Sequence, residues 1–261
     1  ARFCGSCGAL LAPSIIAGEF IPRDVGGLLS ETFSIYRRNF WPFVAIVALA
    51  EIPNLAGTLI SIPIFSLLLA VVSIILGILA YGAVTYGAAA QYLGDGINIG
   101  ECYGQAWGRV LSLILGGIIV FGILILSSLL ILIVIGIPLV FFLLVILYFF
   151  PQAIILERKG GIAALGRSRE LVRGSWWRVF AIGVLFVLVS FAIAIALFIP
   201  TAIVSLFSPE LGGTFSVGIG IIVTPVFAIG ATLVYIDLRV RKEGYTLDVM
   251  ARELSMQRRE D

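Results

Sequence analysis

The 261-residue sequence predicts an all-α polytopic membrane protein with six transmembrane helices, built as three repeats of an interfacial helix plus a helical hairpin. Three observations predict it: an apolar composition, six apolar stretches long enough to cross a bilayer, and basic residues gathered on one side of those stretches. The chain is 61% hydrophobic and 12% charged, against roughly 45–50% and about 25% in water-soluble domains, too few charges to cover a soluble globule. It has no histidine, which removes the commonest general base near neutral pH and the commonest metal ligand and makes most hydrolase and metalloenzyme mechanisms hard to build. A net charge of +2 gives no sign of a nucleic-acid-binding domain.

The chain divides into residues 1–12, a cysteine-bearing segment; 13–25, a linker; 26–244, the six-span domain; and 245–261, a tail. The apolar run 9–18 is interrupted by Pro13 and lacks a strong basic flank, so it does not read as a signal peptide. At the start, Phe3-Cys4-Gly5-Ser6-Cys7-Gly8 resembles the second knuckle of a short zinc ribbon: two intervening residues let both thiolates reach one metal, and the glycine allows the tight turn. Structural zinc takes four ligands, so Cys4 and Cys7 are expected to share zinc with a pair upstream of Ala1 or with a second chain. A pair without metal is the alternative, because a lone CxxC is a weak signal.

A spanning helix needs about 20 apolar residues at about 1.5 Å per residue through a layer about 30 Å thick. Six stretches qualify: 40–61, 64–92, 110–135, 139–156, 179–200 and 215–236. Gly136-Ile137-Pro138, with no charge nearby, predicts the tight turn between the third and fourth. Arg2, Arg23, Arg37 and Arg38 precede span one, Arg109 follows span two, the run from Arg158 to Arg178 follows span four, and six more cations follow span six. All 17 basic residues therefore share one side, which predicts a cell-membrane protein with both termini cytoplasmic.

Glu101–Val110 aligns with Glu170–Val179 at an offset of 69, with Glu, Trp, Arg and Val coinciding, and Glu31 stands 70 residues before Glu101. That spacing gives the three repeats. Leu29, Phe33, Tyr36 and Phe40 form one helical face; Tyr103, Trp107 and Val110, and Val172, Trp176 and Val179, form similar rows. Such aromatic rows suit the headgroup zone.

The segments Pro151–Gly160, Ala164–Val179 and Asp237–Tyr245 together resemble the membrane domain associated with glycerophosphodiester phosphodiesterases and related multi-span families, over about Gly26 to Asp248. In such phosphodiesterases a separate soluble domain does the chemistry, and its acidic and histidine residues have no counterpart here. The resemblance thus implies a membrane module rather than a phosphodiesterase.

Glu51 is the ionisable residue set well inside a span, with Pro53 and Asn54 following. A carboxylate there is unfavourable by about 2.5–3.5 kcal/mol on insertion scales, which makes Glu51 and Asn54 a candidate intramembrane polar site; the alternative places them, wet, near the outer end of a proline-broken helix. Gly77, Gly82 and Gly87 are expected to allow close helix approach, and Pro225 to kink span six. Arg158, Lys159, Arg167, Arg169, Arg173 and Arg178 are candidate contacts for anionic lipid headgroups, at about 1 kcal/mol per charge. Asp237, Arg239, Arg241 and Glu243 are placed to pair with that run, and the tail reads as a solvated helix. The expected function is a non-enzymatic scaffold or accessory module with a cytoplasmic zinc-ribbon element, a protein partner or a second copy, and no nucleic acid. The alternative is a transporter or lipid-handling protein using Glu51 and the basic surface.

Overall fold

The computed structural model describes residues 2–3, 10–11, 23–59, 63–129 and 136–260. Two short strands, β1 (Arg2–Phe3) and β2 (Leu10–Leu11), pair antiparallel, with Arg2 opposite Leu11 and Phe3 opposite Leu10. The rest is helical: α1 (Val25–Arg38), α2 (Phe40–Leu59), α3 (Pro63–Tyr92), α4 (Ile99–Trp107), α5 (Val110–Leu129), α6 (Gly136–Leu147), α7 (Phe150–Glu157), α8 (Gly161–Val172), α9 (Trp176–Phe207), α10 (Pro209–Glu243) and α11 (Leu247–Glu260). Six segments are long and apolar enough to cross a membrane: α2, α3, α5, α6 with α7, α9 and α10. The protein is a multi-pass membrane protein whose apolar outer faces contact lipid.

Local chemistry sets the helix boundaries. Asp24 accepts the Gly27 N–H at 2.9 Å to start α1, and Asn98 accepts the Glu101 N–H at 3.2 Å to start α4. Ser208 alone joins α9 to α10; its hydroxyl accepts the Leu211 N–H, and Pro209 follows at the first helical position, where no N–H is needed. Gly244, at φ 61°, ends α10 in the left-handed conformation that glycine adopts without strain.

The core forms where α3, α7 and α10 meet. The first half of α3 is open to lipid, whereas residues 79–90, rich in alanine and glycine, are buried almost throughout. Small side chains let backbones approach where no hydrophobic drive between helices exists. Gly82 and Gly87 act this way: a Cβ on Gly82 would stand 3.1 Å from Ile155 and 3.2 Å from Ala106, and one on Gly87 would stand 3.2 Å from the Cys102 sulfur. Gly77 does not, since its Cβ would meet nothing. The buried hydroxyls of Thr32, Thr85 and Thr232 each donate to the carbonyl four residues back, at 2.7, 2.9 and 2.7 Å.

Several sequence expectations are corrected. Gly136-Ile137-Pro138 is not a turn but the first turn of α6, where proline costs no intrahelical hydrogen bond. Span five runs on through Pro200 to Phe207, with the Thr201 hydroxyl donating to the Leu197 carbonyl at 2.7 Å beside the proline; span six begins at Pro209. Pro53 likewise lies inside an unbroken α2. The most buried faces of α1 and α4 are Leu28/Thr32/Ile35 and Cys102/Gln105/Ala106, and Leu29, Tyr36, Tyr103 and Val110 of the aromatic rows pack partly buried beside them, the Tyr36 and Tyr103 hydroxyls donating to the Ile222 and Ile46 carbonyls at 2.6 Å. Phe33 and Trp107 are exposed.

Two helices hold the span-four region together. The chain breaks between α6 and α7 at Tyr148-Phe149, and buried Ser168 of α8 bridges the break: its hydroxyl accepts the Phe149 N–H at 3.1 Å and donates to the Ile146 carbonyl at 2.6 Å. α8 reaches this position because Gly161 lies against Ser112 and Gly116 of α5, where a Cβ would come within 3.0 Å of backbone atoms. The tail helix α11 is docked, not solvated: Met250, Leu254 and Gln257, at helical spacing, are buried, and α11 packs on α7.

Candidate functional site: a braced charged face and a lateral groove

Glu157 ends α7 with only 9% of its side chain exposed. A buried carboxylate needs partners, and α8 and α10 supply them. Arg167 donates through Nε to both oxygens at 2.9 and 2.8 Å, Arg239 approaches to 3.3 Å, and the Tyr235 hydroxyl donates to Oε1. The same arginines reach further: Arg167 to Glu243 at 2.5 Å, and Arg239 in a two-pronged contact with Glu253 of α11 at 3.0 and 3.1 Å. The Arg239 guanidinium also lies 3.6 Å above the Tyr245 ring.

A second knot forms around Asp237, whose side chain is 4% exposed. It accepts from Arg178 at 3.0 Å, Arg241 at 2.8 Å and the Arg23 N–H at 3.0 Å, while Arg178 and Arg241 both donate to the Arg23 carbonyl at 2.6 Å. A third ties α11 to the α3–α4 corner: Arg258 meets Glu101 at 2.6 Å and Asp95 at 3.0 Å, and the Tyr86 hydroxyl donates to Glu101 at 2.6 Å. Burial raises the Glu101 pKa, but the Tyr86 and Arg258 hydrogen bonds outweigh it and hold the carboxyl below its ordinary value. Beside it, burial pushes the Cys102 thiol up to about 12, which keeps it protonated near neutral pH.

Of the four residues expected to pair with the Arg158–Arg178 run, Asp237 and Glu243 do, with Arg178 and Arg167, whereas Arg239 meets Glu157 just before the run and Arg241 meets Asp237 on its own helix. Consequently Arg167 and Arg178 face inward, as does Arg158, which donates to the Gln257 carbonyl at 3.0 Å. Lys159 stands 3.9 Å from Glu157. Arg169 and Arg173 are exposed and have no acidic partner among the described residues. Glu51 and Asn54 do come together, Asn54 Nδ2 donating to Glu51 Oε2 at 2.9 Å one turn along the same helix. Cys4 and Cys7 lie outside the described residues, between β1 and β2 in sequence. Among the described residues no group of three or more histidine, cysteine or acidic side chains is placed to hold a metal.

Sequence reasoning missed Tyr235, Glu253, Gln257 and Arg258. Gln257 donates to the terminal carbonyls of α7, Leu156 at 2.9 Å and Ile155 at 3.4 Å, so it caps a helix end from 101 residues away. The one available signal was the Met250/Leu254/Gln257 spacing, hidden by the polar third member.

A lateral groove of about 370 Å³ separates α6, α9 and α10, walled by Phe141, Tyr148, Phe180, Gly183, Phe186 and Phe227 among others. Beside it the Trp176 ring is held between Phe142 and Phe180, with centroids 6.1 and 5.0 Å away. Trp41, Trp107 and Trp177, at the starts of α2 and α9 and just before α5, are 76%, 67% and 76% exposed.

The chain matches no family model, no curated protein and no solved structure.

Proposed function

We propose that this protein is a non-enzymatic membrane scaffold or accessory module, lying in the cell membrane with both termini cytoplasmic and presenting the Cys4/Cys7 segment as a zinc-dependent interaction element. The observation that carries the reading is the braced charged face: Glu157, Asp237 and Glu101 are each satisfied by cations from other helices, which gives a rigid platform rather than a reactive cleft. The pairing of β1 with β2 on either side of Cys4 and Cys7 supports a knuckle, because a zinc knuckle sits at a hairpin turn. The one-sided basic residues support the orientation. The Pro151–Gly160, Ala164–Val179 and Asp237–Tyr245 motifs support the kinship with the phosphodiesterase-associated membrane domain, and they are the segments that build the platform. Three repeated units are supported by the packing of α1 on α10, α4 on α3 and α8 on α7, each interfacial helix against the returning span of the unit before it in a closed cycle.

The test is metal analysis of protein purified from its complete reading frame, beside Cys4→Ser/Cys7→Ser. One zinc per chain or per two chains, lost in the variant together with a crosslinked protein partner, is expected. A zinc-free wild type with no partner overturns the reading. The rival reading, transport or lipid handling, draws support from the lateral groove. Its Glu51 version requires Glu51→Gln to abolish flux or lipid transfer in reconstituted vesicles.

A further inference from the structure

We infer that the groove between α6, α9 and α10 binds one membrane phospholipid, its acyl chain along the groove and its anionic headgroup on Arg169 and Arg173. The groove walls belong to segments long and apolar enough to span the bilayer, so its mouth opens on hydrocarbon, not water. A cleft of about 370 Å³ lined by Phe141, Leu144, Phe180, Phe186, Val187 and Phe227 offers an acyl chain dispersion contacts on several sides, where a flat helix surface offers them on one.

Charge selects the headgroup. Among the cations, Arg167, Arg178, Arg239, Arg241 and Arg258 are tied to acids and Lys242 to the Glu170 and Arg173 carbonyls, while Arg37, Arg38, Arg169, Arg173 and Arg252 are exposed and have no acidic partner among the described residues. Each unpaired pair adjoins an exposed tryptophan, Trp41 or Trp177. Val179 and Phe180 of the groove wall follow Arg173 by six and seven residues, and between them the buried Trp176 indole N–H has no acceptor among the described residues. Two cations, an amphipathic ring and an unsatisfied donor in the segment that leads into the wall of an apolar cleft match the phosphate, interface and tail of an anionic glycerophospholipid.

The structure supplies its own test variant. Gly183 lines the groove, and a Cβ there meets nothing within 4 Å, so the side chain of Gly183→Phe sets out into open space on the groove wall. The full chain is placed in lipid discs of equal phosphatidylglycerol and phosphatidylcholine and the lipid retained on release is weighed by native mass spectrometry. Wild type should keep one phosphatidylglycerol. Gly183→Phe should lower its retention about tenfold with unchanged thermal unfolding, and Arg169→Gln/Arg173→Gln should abolish the preference over phosphatidylcholine. Arg37→Gln/Arg38→Gln, which removes equal charge elsewhere, should change neither. Undiminished retention in Gly183→Phe overturns the chain site. Equal loss of preference in the two arginine doubles overturns the headgroup site. The zinc and partner test of the scaffold reading fails or succeeds separately from these outcomes.

Discussion

Ser168 shows how one hydroxyl can permit a break in a span. Without it, the Phe149 N–H and the Ile146 carbonyl would face each other's absence in a site that excludes water, and such unsatisfied groups are destabilising by about 1–3 kcal/mol. Ser168→Ala is therefore expected to lower stability by about 1–3 kcal/mol in denaturant titrations of the detergent-solubilised protein. Ser128→Ala, which removes an exposed hydroxyl bonded within its own helix, should stay within about 0.5 kcal/mol. Nothing in the sequence marked Ser168 for this task. A serine amid Arg167 and Arg169 reads as part of a solvated basic run, and only the fold brings the broken helix across to it.

At the scale of elements, hydropathy located the spans because the bilayer imposes a length and a polarity on every crossing segment irrespective of its neighbours. Contacts between elements obey no such local rule, which is why α11 reads as a free tail. Its attachment is partly electrostatic and so depends on pH. Glu101 is held below its ordinary carboxyl value by Tyr86 and Arg258, with Asp95 sharing the guanidinium, so its contribution is complete above the ordinary value and is lost as pH falls through the depressed one. Wild type should melt above Glu101→Gln at pH 7, and the gap should close as the medium is acidified below the folded-state pKa. A gap that widened in acid would mean that Glu101 is held protonated instead.

Across the whole molecule, the motifs that drew attention in the sequence turn out to be joined: Glu157, Arg167, Arg239 and Glu243 come from segments up to 86 residues apart and meet in one network. Asp237 and Glu243 were legible as partners for the basic run by their sign and their place at a span end; the tyrosines and tail residues that complete the network were not, having no charge pattern to announce them. Removing its centre should be costly everywhere at once. Glu157→Ala takes one of several counter-charges from Arg167 and Arg239, 12% and 8% exposed, which keep Glu243 and Glu253, and an expected loss of about 1–3 kcal/mol would appear in equilibrium unfolding, while Arg169→Ala stays within about 0.5 kcal/mol. The clasp of Asp237 on the Arg23 backbone spans 214 residues, and it sets an order of events. At about 5–20 residues per second, a ribosome needs roughly 10–40 s between delivering Arg23 and delivering Asp237. Throughout that interval α1 has emerged but its partner α10 has not. The helix must wait with only its lesser contacts to α2 and α3, and a protein-facing side carrying Thr32 between Leu28 and Ile35 is mild enough to be left largely uncovered until the last span arrives.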